Sequence, residues 1–290
     1  MVTRREALGQ GTKSLQEAGR DNPRLDAEVL LLYLLGESRA ELYRDLDEAI
    51  PASLVSAYKK LITRRKTGVP VQYLTGSREF MGLDFIVSPT VLIPRPETEI
   101  LVEVVIDLVK EEKIAMPNIV DLGTGSGAIA VSLAKHIPEA LVYAVDLSPA
   151  ALAVARENAR LHNVLNQVIF YCGDLFAPLE HAGLDKKVDV IVSNPPYIPT
   201  ADLANLPAEV KDYEPLQALN GGADGLAFYR LIAVEAVRFL RPGGWVVLEV
   251  GQGQAPAVKR ILQGTGVMET IWISPDLAGI ERVVVGRMQK

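Results

Sequence analysis

Apolar residues at helical spacing dominate the first part of the chain, where no alternating strand pattern is visible. Leu25, Val29 and Leu32 form a stripe at positions i, i+4 and i+7, which predicts an amphipathic helix with that face buried. Helices of this kind bury their apolar stripes against one another in a small bundle. We therefore expect an N-terminal helical domain over residues 1–72.

The periodicity changes twice farther along the chain. Residues 80–87 alternate around a central glycine, which is typical of a β-hairpin, and we expect residues 73–96 to form a β-hairpin linker between two domains. From Asn118 onward, short β-branched runs alternate with helical patterns, which favours βαβ units and a parallel sheet. The last two strand-like runs, near Thr270 and Val283, are close enough in sequence to pair antiparallel. Residues 97–290 are therefore predicted to form an α/β domain.

A glycine-rich turn follows the first strand of this α/β domain. Gly123, Gly125 and Gly127 precede a helical pattern, so the chain can turn tightly and a ligand can approach the N–H groups at the helix start. The next predicted strand ends at Asp146, roughly 20 residues beyond the glycines, where a carboxylate can accept hydrogen bonds from both hydroxyls of a ribose. Taken alone, the turn is a weak signal because many nucleotide sites share it.

One acidic residue in the turn distinguishes between two nucleotide cofactors. The turn satisfies the loose dinucleotide pattern when Ala128 is counted as its last position. The carboxylate of Asp121, however, would repel a pyrophosphate and suits an ammonium group. S-adenosylmethionine carries an α-amino group and no phosphate. We therefore expect its methionine end at this turn and its ribose at Asp146.

A third predicted strand, residues 167–172, also ends in a fitting group. Asp174 can accept a hydrogen bond from the exocyclic amine of adenine, and Leu175 or Phe176 can cover the face of the ring. Each of these residues, taken separately, is compatible with a solvated turn. Because the carboxyl ends of parallel strands meet at one edge of a sheet, the three strand ends together predict one binding site.

The most informative stretch of the chain is Asn194-Pro195-Pro196-Tyr197, which follows an apolar run from residue 188 to 192. Neither proline can donate to a strand ladder, so the strand ends here on a stiff loop. The amide oxygen of Asn194 beside the fixed carbonyl of Pro195 forms a pair of acceptors that suits a planar NH2 group. Tyr197 offers a flat face to the group that carries this nitrogen. A strand-ending turn that happens to use two prolines is the competing interpretation.

Size and charge limit the class of protein. The chain has 290 residues, nearly half of them apolar, which is enough for two ordinary domains with substantial cores. The net charge of −6 argues against a dedicated nucleic-acid surface, so no direct nucleic-acid binding is expected. A basic cluster at residues 59–66 is typical of a solvated helix end, and a contact with RNA or a ribosomal partner stays open.

The composition argues against disulfides, metal sites and membrane-spanning segments. The single cysteine, Cys172, excludes an internal disulfide and a multi-cysteine metal site, and the three histidines lack metal-ligand spacing, so no metal is expected. The chain shows no signal-peptide pattern and no apolar stretch of the length that a membrane helix needs. We therefore expect a cytoplasmic protein that does not bind membranes, or an organellar one if a transit peptide has been overlooked.

These motifs together resemble the class I S-adenosylmethionine-dependent methyltransferases and, within them, the release-factor glutamine methyltransferases of the HemK/PrmC family. The resemblance covers nearly the whole chain. The segments that carry it are Gly68–Gly76, Phe80–Gly82, Leu92–Glu99, Asp121–Gly127, Ala144–Asp146, Asn194–Ile198, Glu214–Pro215, Leu219–Leu226 and Leu248–Gly251. The resemblance implies an α/β fold with a Rossmann-like seven-stranded sheet and a reversed last strand, preceded by a helical bundle and a β-hairpin linker.

The resemblance also implies an activity and a partner. The implied reaction transfers a methyl group from S-adenosyl-L-methionine, leaving S-adenosyl-L-homocysteine, to the glutamine side-chain amide of the Gly-Gly-Gln motif in class I peptide-chain release factors. Such a modification modulates translation termination. The helical domain contains no cofactor-binding or amide-binding feature, so we expect residues 1–72 to recognise the protein substrate.

Roles for individual residues follow from the same resemblance. Asn194, Pro195 and Tyr197 are the implied catalytic residues, and Pro196 joins them in binding the substrate. The implied cofactor-binding residues are Asp121, Gly123, Thr124, Gly125, Ser126, Gly127, Asp146, Asp174, Leu175 and Asn194. Leu175 is a departure, since some relatives carry an aromatic residue at this position, and it puts the adenine-stacking role there in question.

Several other functions are compatible with parts of the pattern. A nucleic-acid amino methyltransferase would use the same pair of acceptors on a base, but it should carry a basic recognition region. A methyltransferase for a glutamine of a ribosomal protein would differ mainly in its N-terminal domain. An NAD-dependent dehydrogenase would explain the glycine turn and Asp146 but not Asp121 or the Asn-Pro-Pro-Tyr motif. A non-catalytic binding module would leave the paired acceptors without a use.

Overall fold

A computed structural model describes residues 2–290, and the chain divides there into two units. The first unit extends to Ser77 and includes Pro207–Tyr213, and the second comprises Arg78–Leu206 and Glu214–Lys290. Most of the hairpin that we predicted as a linker therefore lies within the second unit. The assignment of separate roles to the two parts stays a prediction.

Five helices open the chain, a β-hairpin follows, and from Asn118 onward strands and helices alternate, as the sequence predicts in outline. The helices are α1 (Arg4–Glu17), α2 (Pro23–Leu35), α3 (Arg39–Arg44), α4 (Ala52–Lys66), α5 (Val71–Thr75), α6 (Glu99–Glu111), α7 (Ala128–His136), α8 (Pro149–Leu161), α9 (Ala208–Lys211), α10 (Ala227–Phe239) and α11 (Ala255–Gln263). The strands are β1 (Ser77–Phe80), β2 (Leu83–Ile86), β3 (Asn118–Leu122), β4 (Leu141–Asp146), β5 (Val168–Cys172), β6 (Val188–Ser193), β7 (Leu240–Glu249), β8 (Met268–Pro275) and β9 (Glu281–Met288).

Helix α2 forms where we predicted a helix, and Val29 and Leu32 of the predicted stripe pack against the core of the helical unit, but Leu25 does not. Leu25 is 52% exposed, whereas Asp26 and Glu28 are buried together with Leu30. The apolar pattern alone does not predict that Asp26 and Glu28 lie on the buried face of α2, because these two carboxylates are neutralised by arginines of the helical unit. Arg39 pairs with Glu28 at 2.6 Å, and a buried acid with such a partner can occupy a core-facing position.

The helical unit includes a segment from much later in the chain. Arg65, on α4, is buried and donates to Asp26 at 2.6 Å. It also pairs with Glu209 of α9 at 2.8 Å, and the hydroxyl of Tyr213 donates to the carbonyl oxygen of Thr67 at 2.9 Å. The segment Pro207–Tyr213 is therefore held to the helical unit by polar contacts at both α4 and the loop that follows it.

The second unit is built on a seven-stranded sheet in the order β5-β4-β3-β6-β7-β9-β8. Strands β3 to β7 are parallel to one another, and β9 pairs antiparallel with both β7 and β8. The prediction of a seven-stranded sheet with a reversed last strand is confirmed. The chain order reverses between β3 and β6, and an open parallel sheet binds its ligands outside the carboxyl ends of the strands at this reversal.

Helices cover both faces of this sheet. On one face, α6 and α7 pack with the hairpin residues Phe80 and Phe85 into one hydrophobic cluster. On the other face, α10 and α11 pack into a second cluster. Burial on both faces explains why every residue of β6 is buried and four of its six residues are apolar, since a strand inside such a sheet has no solvent-facing side.

Candidate active site

A pocket of about 560 Å³ lies at the carboxyl edge of the sheet, within the second unit. It opens at the reversal between β3 and β6, where the topology predicts a ligand. The sequence-predicted residues in its walls come from four strand ends. They are Gly123, Gly125, Asp146, Asp174, Leu175, Asn194, Pro195 and Pro196. The structure thus brings together residues that are far apart in the sequence.

The glycine turn is bent by backbone geometry that favours glycine. Gly123 and Gly125 both have positive φ angles, of 73° and 55°, and the N–H groups of Gly123 and Thr124 each donate to the carbonyl oxygen of Val145 at 2.9 Å. Gly127 precedes α7, and a Cβ atom there would lie 3.0 Å from that of Ala155. Gly127 therefore permits close packing of the turn on α8.

Asp146 is fixed by two backbone donors at the end of β4. Its Oδ2 accepts from the N–H of Gly125 and its Oδ1 from the N–H of Ser148, both at 2.8 Å. Each carboxylate oxygen has a second lone pair, so both can also accept from hydroxyl groups of a ligand in the pocket. Asp146 can thus hold the glycine turn and a ribose at the same time.

Asp121 lies fully buried beneath the glycine turn. The hydroxyl of Thr124 donates to its Oδ2 at 2.6 Å, while its Oδ1 has no hydrogen-bond partner among residues 2–290. Burial, reinforced by the nearby charge of Asp146, raises the pKa of Asp121 to about 7, against the lowering effect of the Thr124 hydrogen bond. A buried carboxylate with an unpaired oxygen fits a ligand that brings a positive charge.

Thr124 and Ser126 are themselves buried within the turn. Apart from the contact of Thr124 with Asp121, the carbonyl oxygen of Ser126 accepts from the side chain of Asn158 at 2.8 Å. These contacts account for the shape of the turn. A direct contact of either residue with a cofactor stays a prediction.

The end of β5 shows which side chain faces the pocket. Leu175 lies in the pocket wall with a positive φ of 42°, whereas Phe176 is buried and stacks on Phe239 with ring centroids 5.0 Å apart. Phe228 and Leu231 of α10 add apolar surface to the same pocket. We did not predict α10 from the sequence, although its residues 229, 232, 233 and 236 have a helical apolar spacing that identifies it.

Asn194 connects the pocket to the loop before α6. Its Nδ2 donates to the Oγ1 of Thr98 at 3.1 Å, so its Oδ1 is the end of the amide that faces away from Thr98. Pro195 and Pro196 continue the pocket wall beyond it. An acceptor oxygen beside these residues has the arrangement that suits an incoming NH2 group.

The loop from Asn194 to Tyr197 packs against glycines of Leu219–Leu226, a segment that carries the family resemblance but to which the sequence analysis gave no role. A Cβ atom on Gly221 would lie 2.7 Å from the Cα of Tyr197, and one on Gly225 would lie 2.3 Å from its carbonyl oxygen. Gln254 reinforces this packing, since its Nε2 donates to the same carbonyl at 2.9 Å. The glycines are required here because the backbones approach too closely for any side chain.

Tyr197, at the end of this loop, and Glu249, at the end of β7, are not part of the pocket wall. Burial raises the pKa of Tyr197 to about 12 and that of Glu249 to about 7. Tyr229 donates to the backbone carbonyl of Glu249 at 2.9 Å. The sequence analysis gave no role to Glu249, although it ends a predicted strand next to that of Asn194, a position that could have drawn attention to it.

An ion pair ties two loops that border the pocket. Arg95 donates to Oε1 of Glu214 at 2.6 Å, and the other oxygen, Oε2, accepts from the N–H of Ile93 at 3.2 Å. Segments next to both partners line the pocket, including Leu92 and Pro215. The loop before α6 therefore borders the candidate site.

The structure of residues 2–290 was also searched for a metal site and for a membrane-spanning helix. No group of three or more histidine, cysteine, aspartate or glutamate side chains there is arranged to hold a metal ion. None of the helices in this part of the chain combines the length and apolar character needed to cross a membrane.

Comparison with known proteins gives consistent matches along the chain. Residues 6–76 match the PrmC N-terminal domain family, and residues 97–206 match the methyltransferase small domain family. A release factor glutamine methyltransferase from Moorella thermoacetica is 47% identical over 97% of this chain and 97% of its own length. Another from Geobacter sulfurreducens is 45% identical over 99% of this chain and 97% of its own.

A solved structure supports the fold. The N-terminal domain of human METTL16, in complex with SAH, superposes with a TM-score of 0.54 at 16% identity. The match covers 88% of this chain and 93% of that one. At this identity the likeness concerns the fold alone.

Proposed function

The chain belongs to the release factor glutamine methyltransferase family, and from this membership we propose that it methylates the glutamine side-chain amide of the Gly-Gly-Gln motif in class I peptide-chain release factors. The methyl donor is S-adenosylmethionine. The observation that carries the proposal is the position of Asn194, whose amide is held by Thr98 at the rim of the cofactor pocket.

The residues of the pocket fit S-adenosylmethionine. The unpaired Oδ1 of buried Asp121 suits the α-ammonium group, Asp146 keeps lone pairs for the ribose, and Leu175 lies where adenine would be covered. A pyrophosphate would place negative charge next to Asp121, so the dinucleotide alternative is disfavoured. When bound, the cofactor supplies an electrophilic methyl group on a positively charged sulfur.

The contribution of the protein to the reaction is mainly orientation. An amide nitrogen is a poor nucleophile because its lone pair is delocalised into the carbonyl group. In our proposal, Oδ1 of Asn194 and the carbonyl oxygen of Pro195 accept the two amide hydrogens, which fixes the direction of the nitrogen. Such positioning supplies roughly 7–11 kcal/mol of a barrier, and the acceptors disperse positive charge that develops on the nitrogen. Tyr197 would pack against the glutamine side chain.

The partner and place of action follow as parts of the same proposal. We infer that the helical unit selects the release factor, because the cofactor pocket lies wholly in the other unit. A modification enzyme for translation factors acts where translation takes place, so the proposed location is the cytoplasm. Direct binding of nucleic acid is not part of the proposal, since the chain carries a net charge of −6.

The proposal is tested by incubating the purified protein with radiolabelled S-adenosylmethionine and a class I release factor. We expect label in the release factor, and peptide mass spectrometry should place the methyl group on the glutamine of Gly-Gly-Gln. A release factor with that glutamine changed to alanine is the matched control and should stay unlabelled. Label in a ribosomal protein or a nucleic acid, with an unlabelled release factor, would contradict the proposal.

A further inference from the structure

Glu214 is a buried acid with no direct part in the proposed reaction. Its side chain is 2% exposed, and both of its carboxylate oxygens bind the loop before α6. Oε1 accepts from Arg95 at 2.6 Å, and Oε2 accepts from the N–H of Ile93 at 3.2 Å. A buried ion pair can often be replaced by apolar residues without loss of stability, so this pair suits a role in positioning.

The loop that Glu214 holds is stiff and carries Thr98. Pro94 and Pro96 flank Arg95, and the proline ring fixes one of the two backbone angles at each of these positions. The N–H of Thr98 donates to the carbonyl oxygen of Arg95 at 3.1 Å, which closes one turn of 3-10 helix. The position of Thr98 therefore follows that of Arg95.

Thr98 in turn supports the first residue of the Asn-Pro-Pro-Tyr loop. Its Oγ1 accepts from Nδ2 of Asn194 at 3.1 Å, and Thr98 is 4% exposed, so water has little access to this contact. Hydrogen bonds thus lead from Glu214 to Arg95, from Arg95 to Thr98, and from Thr98 to Asn194. All of these residues belong to the second unit.

The segment that begins at Glu214 supports the other end of the same loop. The N–H of Ile198 donates to the carbonyl oxygen of Leu219 at 3.0 Å, and the N–H of Gly221 donates to the carbonyl oxygen of Ile198 at 2.8 Å. The Asn-Pro-Pro-Tyr loop is therefore held at one end by the loop before α6 and at the other by the segment after Glu214. The ion pair joins these two supports and closes a ring of contacts beside the pocket.

We propose that Glu214 and Arg95 are positioning residues, and that their ion pair keeps the oxygen acceptors of Asn194 and Pro195 in place for the methyl transfer. The inference rests on the proposed function, which assigns these acceptors to the substrate amide. Neither Glu214 nor Arg95 is part of the pocket wall, so both act through the two segments that they join. A displacement of about 1 Å at a reacting group can lower a rate roughly 100-fold.

A double-mutant cycle on the methylation rate tests the pairing. Glu214→Gln and Arg95→Gln each remove the ion pair, and Glu214→Gln keeps an acceptor for the N–H of Ile93. The single-turnover rate at saturating cofactor should fall at least about tenfold in either variant. The double variant should be no slower than the slower single variant, because both changes remove the same interaction. Losses that multiply in the double variant would overturn the proposal.

A conservative variant and a second ion pair provide the controls. Arg95 donates one hydrogen bond to Glu214, so Arg95→Lys, which keeps a charged donor, should retain most of the rate. Arg287→Gln removes the ion pair of Arg287 with Glu112, which lies at 2.9 Å in the same unit and outside the pocket wall. This variant should match the parent. A lysine variant as slow as Arg95→Gln, or an equal loss in Arg287→Gln, would overturn the proposal.

Melting temperatures separate positioning from stability. Rates are compared well below the melting temperature of each variant, so that loss of folded protein does not enter the comparison. Variants of Glu214 and Arg95 that melt lower but turn over like the parent would overturn the proposal. If Glu214→Gln does not fold, the comparison of Arg95→Gln with Arg95→Lys takes its place, since the side chain of Arg95 is 32% exposed and tolerates change more readily.

Hydrogen exchange followed by mass spectrometry observes the two loops without any release factor. In Arg95→Gln the backbone N–H groups of residues 91–98 and 194–198 should both exchange at least about tenfold faster than in the parent. Arg287→Gln should leave both segments unchanged. Parent-like exchange of either segment in Arg95→Gln would overturn the proposal. A parent protein that does not methylate a release factor would instead contradict the proposed function, and the exchange measurement would then decide whether the ion pair holds the loops.

Discussion

At Asn194, the proposed chemistry depends on one oriented oxygen atom. Asn194→Ala should leave cofactor binding nearly intact but lower the methylation rate roughly 100- to 1,000-fold, because loss of one oriented group at a site of developing charge costs about 2.7–4 kcal/mol. Asn194→Asp keeps an acceptor oxygen, so we expect partial activity from it. Single-turnover rates at saturating cofactor measure both effects. If the alanine variant turns over as fast as the parent, Asn194 is only a strand-ending residue.

Asp146 should control cofactor affinity. Asp146→Ala removes a charged acceptor of the ribose hydroxyls, and each hydrogen bond to a charged group contributes about 1.5–3 kcal/mol. It also frees the N–H groups of Gly125 and Ser148, so the glycine turn loses support. Calorimetry should therefore show severely weakened binding of S-adenosylmethionine. Unchanged affinity would contradict the ribose assignment, and titration with NAD, which should not bind the parent, is the control.

Asp121 should make the stability of the cofactor-free protein depend on pH. Its pKa is about 7 in the folded protein, above the ordinary value of 3.8. Stability from this group is therefore complete below about pH 4 and is lost as the pH rises to 7. Asp121→Asn should abolish this loss, which for one group amounts to at most a few kcal/mol.

Calorimetric melting of the parent and the Asp121→Asn variant between pH 5 and pH 8 tests this expectation. Glu249 also has a raised pKa and remains in both proteins, so the difference between the two curves isolates Asp121. S-adenosylmethionine should raise the melting temperature of the parent more than that of the variant, since an ammonium group favours the ionised carboxylate. Parallel curves for the two proteins would argue against a buried, neutral Asp121.

At the scale of elements, the close packing of glycines against the Asn-Pro-Pro-Tyr loop predicts that the loop cannot tolerate a side chain at Gly221. In Gly221→Ala the new Cβ would lie 2.7 Å from the Cα of Tyr197, so the loop must shift. We expect cofactor binding to persist while the methylation rate falls at least tenfold, because the acceptors beside Tyr197 move off their positions. Gly9→Ala is the control, since its Cβ meets no atom within 4 Å. Parent-like methylation by Gly221→Ala would show that the loop tolerates displacement.

The strand ends of the second unit were predictable because their signals are local. A β-branched run that stops at Asp146 or at two prolines marks the carboxyl end of a strand by itself, and the rules for parallel sheets then bring such ends together. Local patterns of this kind predict the part of the pocket wall that comes from the strand ends, but not the parts from residues 90–92, residues 215–220 or α10. The short loop between β8 and β9 likewise predicts their antiparallel pairing, which the structure confirms.

Features that depend on distant partners were not predictable in this way. The buried face of α2 follows from the pairing of Asp26 with Arg65, 39 positions away, and no local pattern reports such a pairing. The contact between Asn194 and Thr98 joins residues 96 positions apart. Membership of Pro207–Tyr213 in the helical unit likewise depends on Glu209 meeting Arg65. Apolar periodicity records which side chains avoid water but not which charges neutralise each other.

For the whole molecule, the proposed division of labour predicts the effect of a truncation. A chain that begins near Thr67 lacks most of the helical unit but keeps every residue of the pocket wall. It should bind S-adenosylmethionine with parent-like affinity and methylate an intact release factor poorly. Calorimetry and labelling of the release factor measure these two properties.

A short peptide that contains Gly-Gly-Gln is the control substrate for this truncation. Its methylation should fall much less than that of the intact factor, because a peptide offers little surface for the helical unit to recognise. A truncated chain that folds and keeps full activity on the intact factor would show that the helical unit does not select the substrate.

The segment Pro207–Tyr213 limits which chimaeras of this protein and its homologues would keep the contacts of the helical unit. The chain leaves the second unit at Leu206, contributes α9 to the helical unit and returns to the second unit at Glu214. A chimaera that exchanges only the residues before Arg78 would therefore combine a foreign bundle with a native α9. Glu209 would then face a foreign residue in place of Arg65. Under the proposed division of labour, an exchange of substrate preference between homologues therefore requires both pieces of sequence, the residues before Arg78 and Pro207–Tyr213, to be transferred together.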